Sequence, residues 1–153
     1  MKILVGDRDR EAVGVVGALC ALRWPHRELL ISEDPDQLMQ MIEQQAPDLV
    51  VMGTGLSAEL GAGLGREIRN FSAVPLIMID STGIEREVVK ALDSGADESM
   101  SKPVRSQELL ARIIALLRRL VNNARRIMPH SKLAHLIKGD DGQCSRNNLK
   151  THT

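Results

Sequence analysis

The side chains of this chain that could do chemistry together are few. They are an acidic turn, Gly6-Asp7-Arg8-Asp9, a lone Asp80, and Lys102 in Ser101-Lys102-Pro103. Each follows a short apolar run or a short strand-like stretch, as does Gly53 after Leu49-Val50-Val51-Met52. Carboxylates gathered at strand ends can hold a hard divalent cation through oxygen, and a lysine beside them can neutralise an anion. The charges here do not complete that arrangement. Asp7 and Asp80 are offset by Arg8 and Lys102, and Gly53 offers no side chain. At about 4 Å and an effective dielectric near 20, each opposite-charge contact is worth roughly 4 kcal/mol before desolvation. The balance therefore predicts internal ion pairing, with Lys102 bonded to Asp7 or Asp80 and Arg8 covering the place a metal would take. Asp9 could turn inward and restore acidity, but it is also placed to cap a helix. No metal and no cofactor is expected at this pocket.

Other chemistries find little support. His26, His130, His135 and His152 fall in loops or in the tail, without zinc-like cysteine spacing. Thr54, Ser57 and Ser81 lie near the pocket, yet no histidine stands in a core element to activate them. Cys20 sits among apolar residues of an expected helix and Cys144 in a polar stretch, a pattern of neither disulfide nor metal site. Gly53 and Gly55 offer free amides, but no GxGxxG or P-loop pattern accompanies them. The chain reads as something other than an enzyme.

The elements that must position these residues follow from periodicity. Ile3-Leu4-Val5, Leu29-Leu30-Ile31, Leu49 to Met52 and Leu76 to Ile79 are apolar runs suited to strands buried on both faces, and Ser99-Met100 is a weak fifth. Between them, Asp9 caps a helix that stops by Trp24-Pro25, and Pro35 opens a helix carrying Leu38, Met39, Met41 and Ile42. A glycine-rich stretch leads into a short helix near Leu64 to Asn70; Ile84 to Asp93 forms another, stopped by Ser94-Gly95. Ser106 is read as the cap of a long helix with Leu109, Ile113, Leu116 and Leu120 on its apolar side. Alternating strands and helices imply an α/β fold, a five-stranded parallel sheet in the flavodoxin-like order 2-1-3-4-5 with helices on both faces. The site of such a sheet lies beyond the carboxyl ends of its strands, where Asp7, Gly53, Asp80 and Lys102 all fall.

Lys2-Ile3-Leu4-Val5, Pro47-Asp48-Leu49-Val50, Val74-Pro75-Leu76-Ile77-Met78, Ser94-Gly95-Ala96-Asp97 and Lys102-Pro103 recur in order over about Lys2 to Leu120. In these segments the chain resembles the response-regulator receiver domain, CheY-like in fold. Glu108-Leu109-Leu110-Ala111-Arg112 with Leu116-Leu117-Arg118-Arg119 is similar to the last helix of its OmpR/PhoB branch. The resemblance implies a phosphoryl-accepting aspartate where Gly53 stands, and a second metal-binding acid where Arg8 stands. It implies a Thr or Ser hydroxyl at Asp80 and an aromatic switch residue at Ser99. Only Asp7 and Lys102 keep the family's residue types, so the chain looks like an atypical pseudo-receiver, locked by ion pairs and working without aspartyl phosphorylation.

The resemblance also implies a pairing face formed by helix four, strand five and helix five. Its positions here are Val88, Lys90, Asp97, Glu98, Glu108, Arg112 and Arg119, with Val88 in place of the usual basic residue. A homodimer through this face, or an unidentified protein partner, is the expected assembly, in two-component signal transduction or transcriptional control. Residues 1–120 are expected to form the receiver, 121–138 a helical extension reaching about Ile127 and resuming after Pro129, and 139–153 a disordered polar tail. Residues 120–153 are too few for the winged-helix DNA-binding domain of OmpR-type regulators, which suggests a stand-alone receiver.

Up to Leu117 the chain carries 18 acidic against 12 basic residues; from Arg118 onward it carries 8 basic against 2 acidic. The basic tail leaves nucleic-acid association as an alternative, as the glycine-rich pocket leaves a small ligand, although no nucleic-acid motif or aromatic platform is present. Charges interrupt every apolar run before membrane-spanning length, and no signal peptide is recognisable. A cytoplasmic location is expected, with no membrane partner.

Overall fold

In a computed structural model of the chain, residues 1–124 are described. Five strands, β1 (Lys2–Gly6), β2 (Glu28–Ser32), β3 (Leu49–Gly53), β4 (Leu76–Asp80) and β5 (Glu98–Ser101), form one sheet in the order β2-β1-β3-β4-β5. Every pairing is parallel. The intervening helices are α1 (Arg10–Arg23), α2 (Pro35–Gln45), α3 (Leu64–Arg69), α4 (Glu85–Asp93) and α5 (Ser106–Ala124). The fold is thus the flavodoxin-like one expected.

Local chemistry sets most boundaries as read. The Asp9 carboxylate accepts from the N–H groups of Glu11 and Ala12, which caps α1, and Pro35 stands in the first turn of α2. Gly95, at φ +118°, takes the chain out of α4 through a conformation that disfavours any residue with a Cβ. Some boundaries differ: α4 starts at Glu85 with Ile84 before it, and β5 extends one residue further at each end. The glycine-rich stretch before α3 winds into two 3₁₀ turns (Thr54–Leu56 and Gly61–Gly63), which have no apolar period to announce them. Helix α5 already includes Ser106, and the Leu109 N–H bonds to the Arg105 carbonyl, so the chain enters this helix one residue earlier than expected. The expected continuation to Ile127, the further turns from Ser131 and the polar tail lie outside the described residues.

The sheet separates two apolar cores. Val16, Trp24, Ile3, Val51, Ile113 and their neighbours pack between it, α1 and α5. Leu38, Val50, Leu64, Ile68, Met78 and Ala91 pack on the other face, under α2, α3 and α4. Strand alternation makes this division, since successive side chains point to opposite faces. The register aligns Gly6 with Met52, Gly53 with Ile79 and Asp80 with Ser101, which brings the last residues of β1, β3, β4 and β5 to one edge.

Candidate functional site

At that edge the two acids of the first turn meet the lysine. Lys102 Nζ lies 3.1 Å from Asp7 Oδ2 and 3.1 Å from Asp9 Oδ2. Asp7 is buried and its other oxygen accepts the Asp9 N–H at 3.0 Å. Asp9 performs both tasks that seemed to compete: Oδ1 caps α1 while Oδ2 holds the lysine. Burial of the ammonium pulls the Lys102 pKa down, but the hydrogen bonds to Asp7 and Asp9 outweigh that and leave it above the ordinary lysine value. The hydrogen bond from Lys102, joined by the Ala12 N–H, holds the Asp9 carboxyl below the usual carboxylate range.

Gly53 closes this group from the β3 side. A Cβ built on it would lie 2.6 Å from Asp7 Cγ, and closer still to Asp7 Oδ2. The Asp7 carboxylate thus fills the space in which any side chain at position 53 would begin. The absence at Gly53 and the position of Asp7 are one feature.

Two expected roles are corrected by the geometry. Arg8 does not cover a metal position; it is exposed, and its Nε donates to the Glu33 carbonyl at 3.2 Å in the loop before α2. A side chain in a turn follows no period, so the sequence left its direction open. Asp80 is not a partner of Lys102. It is fully buried, and its carboxylate accepts from Thr82 Oγ1 at 2.9 and 3.0 Å and from the Gly83 N–H at 2.8 Å. With Arg8 outside and Asp9 inside, Asp7, Asp9, Asp80 and Lys102 carry a net charge of −2 and not zero. Charge neutrality therefore gives no argument against a cation. Asp7 and Asp9 share one ammonium, and Asp80 is bound into its own loop. Among the described residues, no group of three His, Cys, Asp or Glu is placed to share a metal ion.

Sequence reasoning missed the residues that hold Asp80. Thr54 Oγ1 accepts the Ser81 N–H at 3.1 Å, and Thr82 Oγ1 accepts the Ile84 N–H while donating to Asp80. An aspartate two residues before a threonine and three before a glycine was the available signal, because such carboxylates bond the backbone just after them. Also missed was a cleft of about 310 Å³ beside Lys102, lined by Glu11, Ala12, Val15, Pro103 and Val104 as well as Asp9. Ser99 is buried under α4, and its Oγ has no hydrogen-bond partner there.

The remaining residues of the expected pairing face divide. Glu98 receives Arg112 at 3.4 Å and Arg119 at 3.0 Å, and Glu108 receives Arg112 at 3.3 Å, forming one network on β5 and α5. Val88 is half-buried beside the more exposed Val89 and Leu92 on α4. Lys90 points elsewhere: its Cε lies 4.0 Å from where a Gly63 Cβ would stand, on the α3 side of α4. Asp97 is likewise held away, by Arg69 at 2.9 Å and the Leu76 N–H at 2.8 Å. Lys90 therefore does not restore the missing basic contact of the face.

Fold and site define a doubly wound α/β domain with an acidic crevice at the carboxyl edge of its sheet, closed by a lysine. A family model, the response regulator receiver domain, matches residues 3–114, and the chain belongs to that family. The transcriptional regulatory protein CpxR of Klebsiella pneumoniae is 32% identical over 118 residues, covering 77% of this chain and 50% of that protein. AfsQ1, a transcriptional regulatory protein of Streptomyces coelicolor, is 34% identical over 119 residues, covering 78% and 52%. The chain spans about half the length of the curated relatives it matches. Among solved structures, a two-component response regulator from Clostridium difficile superposes with a TM-score of 0.70 at 24% identity, covering 78% of this chain and 98% of that one. The BeF3-activated receiver domain of Klebsiella pneumoniae RstA gives 0.68 at 24%, covering 77% and 99%. These two likenesses speak for the fold. Among the described residues, no helix is long and apolar enough to cross a membrane.

Proposed function

We propose that this receiver works without aspartyl phosphorylation, as a non-catalytic protein-interaction module in signal transduction or transcriptional control. The observation that carries the reading is the Asp7 carboxylate lying over Gly53, clamped by Lys102. A receiver transfers a phosphoryl group to a carboxylate at the end of β3, with a cation and a lysine neutralising the charge in transit. Here the acceptor carbon chain is missing, its space is taken, and the lysine is engaged by two acids. Asp7 is poorly placed to serve instead: it is 4% exposed, one oxygen accepts the Asp9 N–H and the other is ion-paired with Lys102.

The interaction surface in this reading is the α4–β5–α5 face, through which two copies would pair. Its charges already satisfy one another within the chain, and exposed pairs exchanged between chains add only about 0–1 kcal/mol each. The apolar flank of α4 is the better source of affinity: Val89 is 49% and Leu92 44% exposed, beside half-buried Val88. Burial contributes roughly 25 cal/mol per Å² of apolar surface. Sedimentation at high micromolar concentration, with and without acetyl phosphate and Mg²⁺, tests the reading. It predicts a dimer insensitive to the phosphodonor; a strict monomer, or a dimer formed only with the donor, would contradict it.

A further inference from the structure

The face of the sheet opposite α1 and α5 carries a second feature, which the phosphorylation-independent reading does not use. A groove of about 310 Å³ runs between α2 and α3, floored by Met39, Leu60, Leu64 and Phe71 and rimmed by Asp36 and Glu67. Two of its apolar members stand open to solvent, Leu60 at 38% and Phe71 at 43% exposure. The rim is acidic without local compensation on α2, which includes Asp36 and Glu43 but no lysine or arginine. On α3, Arg69 is held by Asp97 and by the carbonyls of Gly95 and Val74, leaving the exposed Arg66 as the other cation of that helix.

The chain beyond Ala124 has the complementary chemistry. Arg125 to Thr153 holds six basic residues against two acidic ones. Within it, Leu133, Leu136 and Ile137 recur at helical spacing, bracketed by Lys132 and Lys138. Eight helical residues from Ser131 to Lys138 would span about 12 Å, comparable with the eight residues from Leu64 to Phe71 that run along the groove. Helices α3 and α5 both run back from the carboxyl edge of the sheet, so Phe71 and Val121 lie toward the same edge on opposite faces. The six residues from Arg125 to His130 reach about 20 Å when extended.

We propose that Ser131–Lys138 docks into the α2–α3 groove of its own chain. Leu133, Leu136 and Ile137 cover Leu60 and Phe71, and the lysines face Asp36 and Glu67, as an amphipathic helix fills an apolar groove. The contact covers the domain's exposed phenylalanine and places the basic tail on the acidic face, away from α4, β5 and α5.

Phe71 is the sole phenylalanine of the chain and Trp24 its sole tryptophan, so each reports one place. The full chain labelled with fluorophenylalanine gives a single resonance, at the groove. A double variant, Leu133→Glu with Leu136→Glu, should shift that resonance and raise its relaxation by a soluble paramagnetic probe. Trp24 emission, from the opposite core, should stay unchanged. Asp36→Lys with Glu67→Lys should release the segment equally, with the tail itself intact. Superimposable resonances in wild type and both variants would overturn the proposal. A difference that vanishes on dilution would also overturn it, by assigning the groove to the tail of a second copy.

Discussion

At the scale of residues, the pocket is organised around one substitution and its answer: Gly53 removes a side chain, and Asp7 occupies the space. A methyl group at position 53 must displace a carboxylate that Lys102 and the Asp9 N–H hold in place. Overpacking of this kind costs about 1–3 kcal/mol, while loss of glycine's freedom in the unfolded chain returns about 0.4–1 kcal/mol. Gly53→Ala should therefore lower stability by roughly 1–2 kcal/mol in urea titrations; an unchanged midpoint would mean that Asp7 moves freely. Lys102→Met leaves Asp7 and Asp9 without their cation, at a loss of about 1–3 kcal/mol near neutral pH, less than for a fully buried pair because the lysine is partly exposed. The pH dependence of that loss has a definite sign. The folded pKa of Asp9 is lowered, so its contribution is present above the unfolded carboxylate value and is lost as pH falls through the folded one. The folded pKa of Lys102 is raised, so its contribution is complete below the unfolded lysine value and fades as pH rises through the folded one. The difference between wild type and Lys102→Met should be flat between about pH 5 and pH 9 and shrink at both extremes. Growth of the difference toward acid would contradict the ion-pair account.

At the scale of elements, Asp80 converts the end of β4 into a clasp on the loop that starts α4. The Thr82 hydroxyl, shared between its two oxygens, and the Gly83 N–H tie its buried carboxylate to the loop, and Thr54 secures Ser81 from the neighbouring strand. Asp80→Ala should cost about 1 kcal/mol, the net worth of the bonds lost, because Thr82 and Gly83 are exposed and water can take their donors. Amide exchange should quicken at Gly83 and through the first turn of α4, and stay unchanged in α1; uniform acceleration would indicate general destabilisation and not release of a clasp. The same elements show what was legible in the sequence. Apolar runs, caps and stop signals placed five strands and five helices, because burial on both faces of a parallel sheet leaves a plain pattern. The 3₁₀ turns were not legible, since they rest on local hydrogen bonds with no repeating apolar face. The composition of the pocket was legible, as were the Lys102–Asp7 pair and the Asp9 cap, but the rest of its wiring was not. Arg8 and Asp9 lie in a turn and Asp80 ends β4, and their side-chain directions are settled by partners distant in the chain or two to three residues away, choices that no periodicity encodes.

At the scale of the whole molecule, a family fold keeps its sheet, both cores and the ion pairs of β5 and α5, while the crevice that would drive a switch is closed internally. In the proposed reading the α4–β5–α5 face is available independently of any phosphodonor. Leu92→Glu should weaken self-association at least as much as Arg119→Ala, because the exposed pair contributes little and the apolar contact more. A dimer that depended on Arg119 and ignored Leu92 would reverse that assignment. The central claim, that no carboxylate here accepts a phosphoryl group, has a more direct test. The intact mass of the full chain is measured after incubation with acetyl phosphate and Mg²⁺, beside a receiver that retains its acceptor aspartate. The account predicts an unchanged mass for this chain while the control gains a phosphoryl group; a phosphoryl adduct on Asp7, Asp9 or Asp80 would contradict it.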